Sequence, residues 1–392
     1  MRSIMKRRGA FFALLLVLAL VAAACSSSDS DSDSTETTVA AATETTVAAA
    51  TDTTVAAATE TTVAAASTTV AESMAGEGVT VGMAYDIGGR GDKSFNDSAA
   101  AGLDKATTDF GIESNELEPS GGGENREENL RLLAESGLNP VFAIGFAFAD
   151  GVAATAADFP DTSFAIVDSV VDLPNVASLV FAEHEGSALV GAAAALKTQT
   201  GTIGFVGGVA GLGLIEKFQA GYEAGALEAN PDVTVLVQYL TEFPDFAGFT
   251  DPAKGKEAAL AMYEEGADVV YHAAGGSGAG VFEAAKDTSE TTGTKVWAIG
   301  VDSDQYLTAG EDVQEYILTS MLKRVDVAVY STINNFVTDS QQSGVVVFDL
   351  AADGVAYSTS GGFVDDIVDQ LDALRESIIK GDFVVPDAPA EG

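Results

Sequence analysis

Residues 79–111 read VTVGMAYDIGGRGDKSFNDSAAAGLDKATTDFG, and this stretch decides the fold class. Its apolar start predicts a buried strand, its glycines predict a turn, and its second half predicts a helix that Gly111 ends. The same alternation of a short apolar strand with an amphipathic helix continues to residue 380. This pattern is typical of α/β proteins built on doubly wound parallel sheets.

The chain has 392 residues, which exceeds the size at which a single hydrophobic core usually keeps growing. Roughly nine strand–helix units follow one another, too many for one sheet. We therefore predict two sheets side by side, with the chain crossing between them near EHEGSALVG at 183–191. Ligands of open parallel sheets bind outside the carboxyl ends of the strands, so the functional residues are expected there.

The N-terminal segment has the pattern of an export signal. Basic residues within 1–8 precede the apolar run FFALLLVLALVAAA at 11–24, which is shorter than the ~20 residues of a membrane-spanning helix. Cys25, the only cysteine, follows directly. AAAC resembles the lipobox of bacterial lipoproteins, in which this thiol is acylated. We predict a signal peptide at 1–24 and a lipid anchor on Cys25 at the extracytoplasmic face of the cell membrane; a cleaved signal with an incidental cysteine is the alternative.

Residues 25–75 are predicted to form a stalk that begins at this anchor. SSSDSDSDS at 26–34 is followed by repeats of eight residues that resemble TETTVAAA. Ser, Thr and Ala with few acids cannot bury a hydrophobic core, so the composition predicts a disordered tether.

The charge of the chain limits its partners. The formal net charge is −40 at pH 7. Proteins that bind nucleic acids or anionic lipid surfaces need basic patches, so the charge argues against both as partners. It fits a soluble body outside the cell.

Few residues suit a catalytic or metal-binding role. His184 and His272 are the only histidines, and no HExxH or paired-cysteine spacing is present, so no metal and no cofactor are expected. Ser277 with His272 is a conceivable nucleophile pair. However, no GxSxG surrounds Ser277, and His272 lies within a predicted strand, so we predict a structural, hydrogen-bonded histidine. The glycines of FVGGVAGLG and GGSGAG lack dinucleotide-binding and P-loop spacing. The sequence therefore favours a binding protein over an enzyme.

The residues at the predicted strand ends are aromatic rings and carboxylates. They are Phe95, Asp168, Phe243, Phe246, Phe249 and Asp302. Two rings on facing loops can hold a flat ring by offset stacking. Asp302 suits a vicinal diol and Asp168 the donor edge of a base, which together indicate a neutral, hydroxylated aromatic ligand such as a nucleoside. Core packing of Phe246 or Phe249, helix capping by Asp302 and a plain loop position for Asp168 are the structural alternatives.

Six motifs follow one another in this order: DKSFND, FVGG with FQAGYEAGA, DPAKGKEAA, AAGGSGAG, GVDSDQ and TSMLKRVDVAVY. From about Val79 to Lys380 the chain thereby resembles the basic membrane protein family of extracytoplasmic receptors. This family serves ABC importers and includes the purine nucleoside receptor of spirochaetes.

The resemblance implies a type I periplasmic-binding-protein fold, with two α/β lobes joined by three hinge crossovers and a nucleoside between them. The residues that it assigns to the ligand are Phe95, Asn96, Asp168, Phe249, Gly276, Asp302 and Lys323. Phe95 and Phe249 would stack on the base, Asp168 would read its edge, and Asp302 with Lys323 would hold the ribose hydroxyls. Phe246 lies in the same loop as Phe249, so the sequence leaves the choice of the second ring open.

The predicted lobes and partners follow from the same resemblance. The first lobe is expected at 76–182 with roughly 303–345, and the second at 183–302 with roughly 346–385. The expected partners are a nucleoside and the subunits of an ABC permease, with the receptor itself a monomer. The alternatives are a ligand sensor of the same fold, a binding protein for another hydroxylated small molecule such as a sugar, and an enzyme that acts on nucleosides or sugars.

Overall fold

The structure is a computed structural model that describes residues 74–390. The predicted signal peptide, Cys25 and nearly all of the predicted stalk lie outside the described residues. Within 74–390, the strands form two sheets of six, and helices cover them. This confirms the predicted α/β class and the predicted pair of sheets.

The strands of the first sheet are β1 (Thr80–Ala84), β2 (Glu113–Leu117), β3 (Val141–Ala143), β4 (Phe164–Val167), β5 (Val176–Phe181) and β11 (Gly344–Phe348). Those of the second sheet are β6 (Thr202–Ala210), β7 (Thr234–Glu242), β8 (Val269–Ala273), β9 (Trp297–Asp302), β10 (Ile317–Lys323) and β12 (Val355–Tyr357). The helices are α1 (Phe95–Phe110), α2 (Arg126–Glu135), α3 (Ala149–Asp158), α4 (Glu183–Lys197), α5 (Leu214–Ala229), α6 (Pro252–Glu264), α7 (Gly278–Thr292), α8 (Gln305–Thr308), α9 (Val325–Val337) and α10 (Val368–Lys380).

The two sheets have the same strand order. The first runs β2-β1-β3-β4-β5-β11 and the second β7-β6-β8-β9-β10-β12. Strand pairs are parallel except for β10 with β12. In each sheet the order reverses beside the first strand, and doubly wound sheets bind ligands at this point. Equivalent strands therefore bring equivalent loops to the site from both sheets.

Local sequence signals explain where the elements begin and end. Gly111 adopts a left-handed conformation with φ of 70° and donates its backbone N–H to Thr107 O, which ends α1 as predicted. Asp251 accepts a hydrogen bond from Lys254 N at 3.1 Å, and Pro252 occupies the first turn of α6. The strand β8 is fully buried because helices cover both faces of its sheet.

Three crossovers join the lobes. The first lobe consists of the first sheet with α1, α2, α3 and α9, and the second lobe of the second sheet with the other helices. The chain crosses from β5 to α4, from β10 to α9 and from β11 to β12. Backbone hydrogen bonds link neighbouring crossovers, from Ala182 N to Phe348 O at 3.0 Å and from Arg324 N to Gly354 O at 2.9 Å. The first crossing lies at the start of the stretch predicted from the sequence.

One lobe boundary differs from the expectation. The sequence predicted that 303–345 belong to the first lobe, but part of this range lies in the second sheet. Within that range, β10 lies in the second sheet between β9 and β12. The chain returns to the first lobe at α9, which packs against α1. The reason is that ILTSMLK at 317–323 is a buried strand that pairs in parallel with β9.

Candidate functional site

A cavity lies at the carboxyl ends of strands from both lobes. It encloses about 660 Å³ not filled by atoms, including space open to solvent. The first lobe contributes Asp86, Ile87, Asp92, Phe95, Asn96, Gly145, Phe146 and Asp168, and the second contributes Leu214, Ile215, Phe218, Phe249, Ala273, Gly275, Gly276, Val301, Asp302 and Lys323. This lining is mostly apolar, with a few charged groups that converge, as in sites for small molecules.

The seven residues that the sequence analysis assigned to the ligand all line this cavity. They come from positions as far apart as Phe95 and Lys323, and the two sheets bring them together. Their contact with a ligand stays a prediction.

Asp168 and Asp302 occupy equivalent positions in the two lobes. Asp168 directly follows β4 and Asp302 ends β9, and these strands hold the same place in the two sheet orders. Both residues have a left-handed backbone, with φ of 67° for Asp168 and 63° for Asp302. Non-glycine residues hold this conformation at some cost, and such residues cluster at functional sites. The geometry turns both carboxylates toward the cavity.

Lys323 is the positive charge of the cavity floor. Its Nζ lies 2.7 Å from Asp168 Oδ2 and 3.1 Å from Glu183 Oε1, and all three side chains are nearly inaccessible to solvent. Burial lowers the pKa of Lys323, but the carboxylates of Asp168, Glu183 and Asp302 together raise it above its ordinary value. Lys323 therefore stays charged and joins the end of β4, the start of α4 and the end of β10.

The carboxylate of Asp168 is only partly satisfied by protein groups. Oδ2 accepts a hydrogen bond from Lys323, whereas Oδ1 is buried and has no hydrogen-bond partner among residues 74–390. Burial raises the pKa of Asp168 to about 6; Lys323 opposes this rise, and Glu183 adds to it. A buried acceptor without a partner is costly, so a ligand that donates to Oδ1 would be stabilised there.

Asp302 is a second buried acid with a raised pKa. Ser94 Oγ donates a hydrogen bond to Asp302 Oδ2 at 2.5 Å. Burial raises the pKa of Asp302 to about 7, and the nearby Asp92 and Asp168 add to this, while Lys323 and the bond from Ser94 oppose it. Burial thus raises the pKa of this carboxyl group far above that of an ordinary aspartate, and perturbed pKa values of this kind cluster at functional sites.

Aromatic rings from both lobes line the cavity. Phe95 stands at the start of α1 and Phe249 at the end of the short helix Phe246–Phe249 that follows β7. Phe146 and Phe218 complete the apolar wall. Lys323 Nζ lies 5.3 Å from the ring centre of Phe95 and 5.5 Å from that of Phe218, within the range of cation–π contact.

The position of Phe246 separates it from Phe249, although both lie in one loop. Phe246 lies outside the cavity lining. Its ring packs 5.9 Å from that of Phe146 and 5.6 Å from the guanidinium of Arg126. Phe249 is thus the ring of this loop that faces the cavity.

Asn96 shapes the turn that carries Phe95. Its Oδ1 accepts a hydrogen bond from Asp86 N at 3.2 Å, and its Nδ2 donates to Asp92 Oδ2 at 3.0 Å. Asp92 also accepts hydrogen bonds from the backbone N–H groups of residues 94, 96 and 97. These bonds cap the start of α1 and hold Phe95 in place.

The glycines after β8 allow a close backbone approach. Gly275 has φ of 52°, and a Cβ atom on Gly276 would lie 3.4 Å from Phe249 O. Ser277 Oγ donates to Gly248 O at 2.8 Å and accepts from Asp251 N at 2.7 Å, so this hydroxyl holds two loops together.

His272 is structural, as predicted. It is fully buried in β8, its Nε2 is bonded to Gln305 Oε1 at 3.1 Å, and burial lowers its pKa to about 4. No cluster of His, Cys, Asp and Glu within residues 74–390 has the arrangement of a metal site.

Sequence reasoning missed several residues of the site. Phe146 follows Gly145 three residues after the end of β3, and in the apolar stretch PVFAIGF at 140–146 it resembles a strand residue. Phe218 lies on α5 at a position that resembles an ordinary core residue. Asp86 directly follows the apolar run of β1, and its carboxylate is paired with Arg126 Nε at 2.8 Å. The position of Asp86 and Phe146 shortly after a strand is the sequence signal that marks both residues.

Comparison with known proteins places this geometry in a family. The sequence model of the family described as ABC transporter substrate-binding protein PnrA-like (Bmp) matches residues 79–388. The chain belongs to this family. The resemblance predicted from the six motifs is thereby confirmed.

Individual relatives agree with this assignment. The nucleoside-binding protein BmpA of an ABC transporter of Lactococcus lactis is 36% identical, and the match covers 78% of this chain and 88% of the relative. Basic membrane protein A of Borreliella burgdorferi is 32% identical, covering 75% and 84%. The CD4+ T-cell-stimulating antigen of Listeria monocytogenes is 35% identical, covering 79% and 88%.

Solved structures support the fold. A solute-binding protein of an ABC transporter system from Aeropyrum pernix K1 superposes with a TM-score of 0.68 at 28% identity, covering 79% of this chain and 94% of that protein. The periplasmic binding protein of the arabinose ABC transporter from Shewanella sp. ANA-3 superposes with a TM-score of 0.55 at 17% identity, covering 76% and 98%. The second likeness concerns the fold alone.

The chain is therefore a substrate-binding protein of an ABC transporter. Membership of this family implies a small-molecule ligand, permease partners and a membrane-associated, extracytoplasmic location. Solute-binding proteins of this kind are not an enzyme class. Among the helices of residues 74–390, none is both long enough and apolar enough to cross a bilayer.

Proposed function

We propose that this protein captures a nucleoside, preferably a purine nucleoside, between its two lobes and delivers it to an ABC importer. The observation that carries the proposal is the convergence of two kinds of group in one cavity. Aromatic rings come from both lobes, and beside them lies the partnerless Oδ1 of Asp168. A base needs a flat apolar slot and an acceptor for its ring N–H or amino group, and this arrangement supplies both.

The charged residues of the cavity suit the ribose hydroxyls of a nucleoside. Asp302 and Lys323 lie on neighbouring strands of the second sheet, where they offer an acceptor and a donor to adjacent hydroxyls. Four carboxylates and a single cation line the cavity, so a phosphate group would meet a negative environment. The relative from Lactococcus lactis is named as nucleoside-binding, which supports the same ligand class.

The proposal includes a lipid anchor and a rigid-body closure. Acylated Cys25 would hold the protein at the outer face of the membrane, and the stalk would let the monomeric body reach the permease. The three crossovers between the lobes are suited to act as hinges. The closed form would then be the one that the permease recognises.

The test is a calorimetric screen of the purified full chain, freed of carried-over ligand by partial unfolding and refolding. Guanosine, adenosine, inosine, uridine and cytidine are compared with free bases, nucleoside monophosphates and arabinose. We expect nucleosides to bind with micromolar or tighter affinity. We expect Phe95→Ala and Phe249→Ala each to weaken binding at least tenfold, since each removes a large apolar contact with the base.

The matched control is Phe363→Ala. Phe363 packs against Trp297 in the second lobe and lies outside the cavity, so nucleoside affinity should stay within about twofold of the parent. Binding of arabinose or of monophosphates in preference to every nucleoside would contradict the proposed ligand and leave the family assignment intact.

A further inference from the structure

The polar residues beside Phe95 contact the opposite lobe. Lys93 and Ser94 belong to the first lobe. Residues 303–309, which directly follow β9, belong to the second lobe. Ser94 Oγ donates to Asp302 Oδ2 at 2.5 Å, and Ser303 Oγ donates to Ser94 O at 3.0 Å. Gln305 Nε2 donates to Lys93 O at 2.9 Å, and Lys93 Nζ donates to the backbone O of residue 309 at 3.1 Å. Four hydrogen bonds thus cross between the lobes at one side of the cavity.

Gln305 is held rigidly for this contact. It is buried, and its backbone N donates to Ser320 Oγ at 3.1 Å. Val301 N lies 2.9 Å from Gln305 Oε1, and because a backbone N–H can only donate, this contact sets the orientation of the side-chain amide. The same Oε1 bonds to His272, so His272 Nε2 must carry the proton. The amide nitrogen is left facing the other lobe, where Lys93 O accepts from it.

The backbone of Lys93 is adapted to the same contact. Its φ is 55°, a left-handed conformation that is uncommon for lysine. Its carbonyl accepts from Gln305, and its N–H donates to Asp97 Oδ2 at 2.9 Å. Such a conformation persists when surrounding bonds over-determine it, and here one of those bonds comes from the second lobe.

We propose that Lys93, Ser94, Ser303 and Gln305 form a latch that holds the two lobes closed and couples closure to the ligand site. The coupling runs through Asp302, which accepts from Ser94 and lines the cavity. Ser303 and Lys93 lie outside the cavity lining, so they act on ligand retention as positioning residues. The coupling rests on the proposed function, whereas the latch itself can be measured without a ligand.

The test compares the parent chain with a Lys93→Ala/Ser303→Ala double variant. The substitutions delete two of the four side-chain donors that cross between the lobes, and they leave the hydrogen bonds within each lobe in place. The chain contains no cysteine other than Cys25. A Cys25→Ser background therefore accepts one spin label in each lobe, at the exposed positions Glu128 in α2 and Glu257 in α6. The distance between the labels is measured by double electron–electron resonance without ligand.

We expect the parent to populate a shorter, closed distance that the double variant loses. With guanosine as the probe, the double variant should release the nucleoside roughly 5- to 50-fold faster, while its association rate changes less than about threefold. Ser303→Thr combined with Lys93→Arg keeps both donors and should restore slow release. The matched control is Ser289→Ala, which removes two hydrogen bonds between Ser289 Oγ and Val296 within the second lobe and should change neither distance nor release.

The two proposals fail in different ways. Equal distance distributions for the parent and the double variant without ligand would overturn the latch, whatever binds. Failure of the parent to bind guanosine or another nucleoside would overturn the proposed function, and the ligand-free distances would still decide on the latch.

Discussion

At the scale of single residues, the site keeps buried acids in conformations that cost stability. Asp168 and Asp302 combine a left-handed backbone with burial, and their pKa values are raised to about 6 and about 7. Among the described residues that line the cavity, Lys323 is the cation that offsets their charge. Natural sequences retain such groups where a ligand needs them, because activity and stability make opposite demands at a binding site.

We predict that Asp302→Asn stabilises the ligand-free protein and weakens ligand binding. Burial raises the pKa of Asp302 above its value in the unfolded chain, so the protonated form favours folding. The stabilisation of the fold by protonated Asp302 is complete below about pH 4 and is lost as the pH rises through about 7. Near pH 8 the variant should therefore unfold with a free energy roughly 1–4 kcal/mol higher than the parent. Asparagine also tolerates the left-handed backbone.

The measurement is urea denaturation of parent and variant from pH 8 down to pH 4. The groups that face Asp302 are Lys323, Ser94, Asp92 and Asp168, and the substitution leaves all of them unchanged. The stability difference should shrink steadily toward pH 4. A variant that is less stable than the parent at pH 8 would show that ionised Asp302 stabilises the fold.

Residue types at the site were largely predictable, whereas their partners were not. Phe95, Asp168 and Asp302 could be found because each lies at or after the end of a strand, and strand ends can be located from local periodicity. The polar atoms of Asn96 proved to bind Asp92 and Asp86 within the turn. That arrangement depends on the path of the backbone through 86–97, which composition does not reveal.

At the scale of elements, α4 and α5 pack backbone against backbone. A Cβ atom on Gly225 would lie 1.9 Å from Ala188 O, and one on Gly221 would lie 2.0 Å from His184 O. The same two helices also carry residues at the cavity. The helix α4 begins with Glu183, which binds Lys323, and α5 brings Phe218 to the cavity wall.

We predict that Gly225→Ala destabilises the protein by about 1–3 kcal/mol, because the added methyl group forces the helices apart. A loss of stability would identify crowding as the dominant effect, because in a free helix alanine is favoured over glycine by about 1 kcal/mol. Urea denaturation measures the stability, and calorimetry with guanosine should show weaker binding because the cavity wall moves with α5.

The matched control is Gly151→Ala in α3. A Cβ atom there would lie 3.3 Å from the nearest atom, Glu127 Cα, so we expect a much smaller change in stability. Equal effects of the two substitutions on the free energy of unfolding would mean that the close packing of α4 and α5 makes no special contribution to stability.

At the scale of the whole molecule, the folded body and the predicted membrane anchor belong to different parts of the chain. The family places the protein outside the cell and at the membrane, and no helix of residues 74–390 is long and apolar enough to cross a bilayer. The stalk predicted from the sequence at 25–75, taken as a random coil of about 50 residues, would have an end-to-end distance of roughly 40 Å. Such a reach would let the body meet a permease beside its anchor.

We predict that Cys25→Ser moves the protein from the membrane fraction to the soluble fraction, because the thiol that carries the proposed lipid is lost. Fractionation of cells followed by immunoblotting measures the change. Guanosine affinity of the variant should equal that of the parent, since the residues that line the cavity all belong to the stretch from 86 to 323. Retention of the variant in washed membranes would exclude Cys25 as the main attachment.

The sequence by itself determined the α/β class, the two sheets, the first crossing between them and the residue types that line the cavity. These features depend on hydrophobic periodicity and on the order of strand ends, which are local properties of the chain. The export signal and the anchor motif at Cys25 are likewise local patterns and remain predictions from the sequence.

Only the tertiary structure decided that β10 lies in the second sheet, that Phe249 rather than Phe246 faces the cavity, and that Ser94 contacts the opposite lobe. Ser94 and Asp302 are 208 residues apart. Each of these outcomes depends on which distant groups pack together. Packing of distant groups is set by the shape of both lobes at once, so no single stretch of sequence contains it.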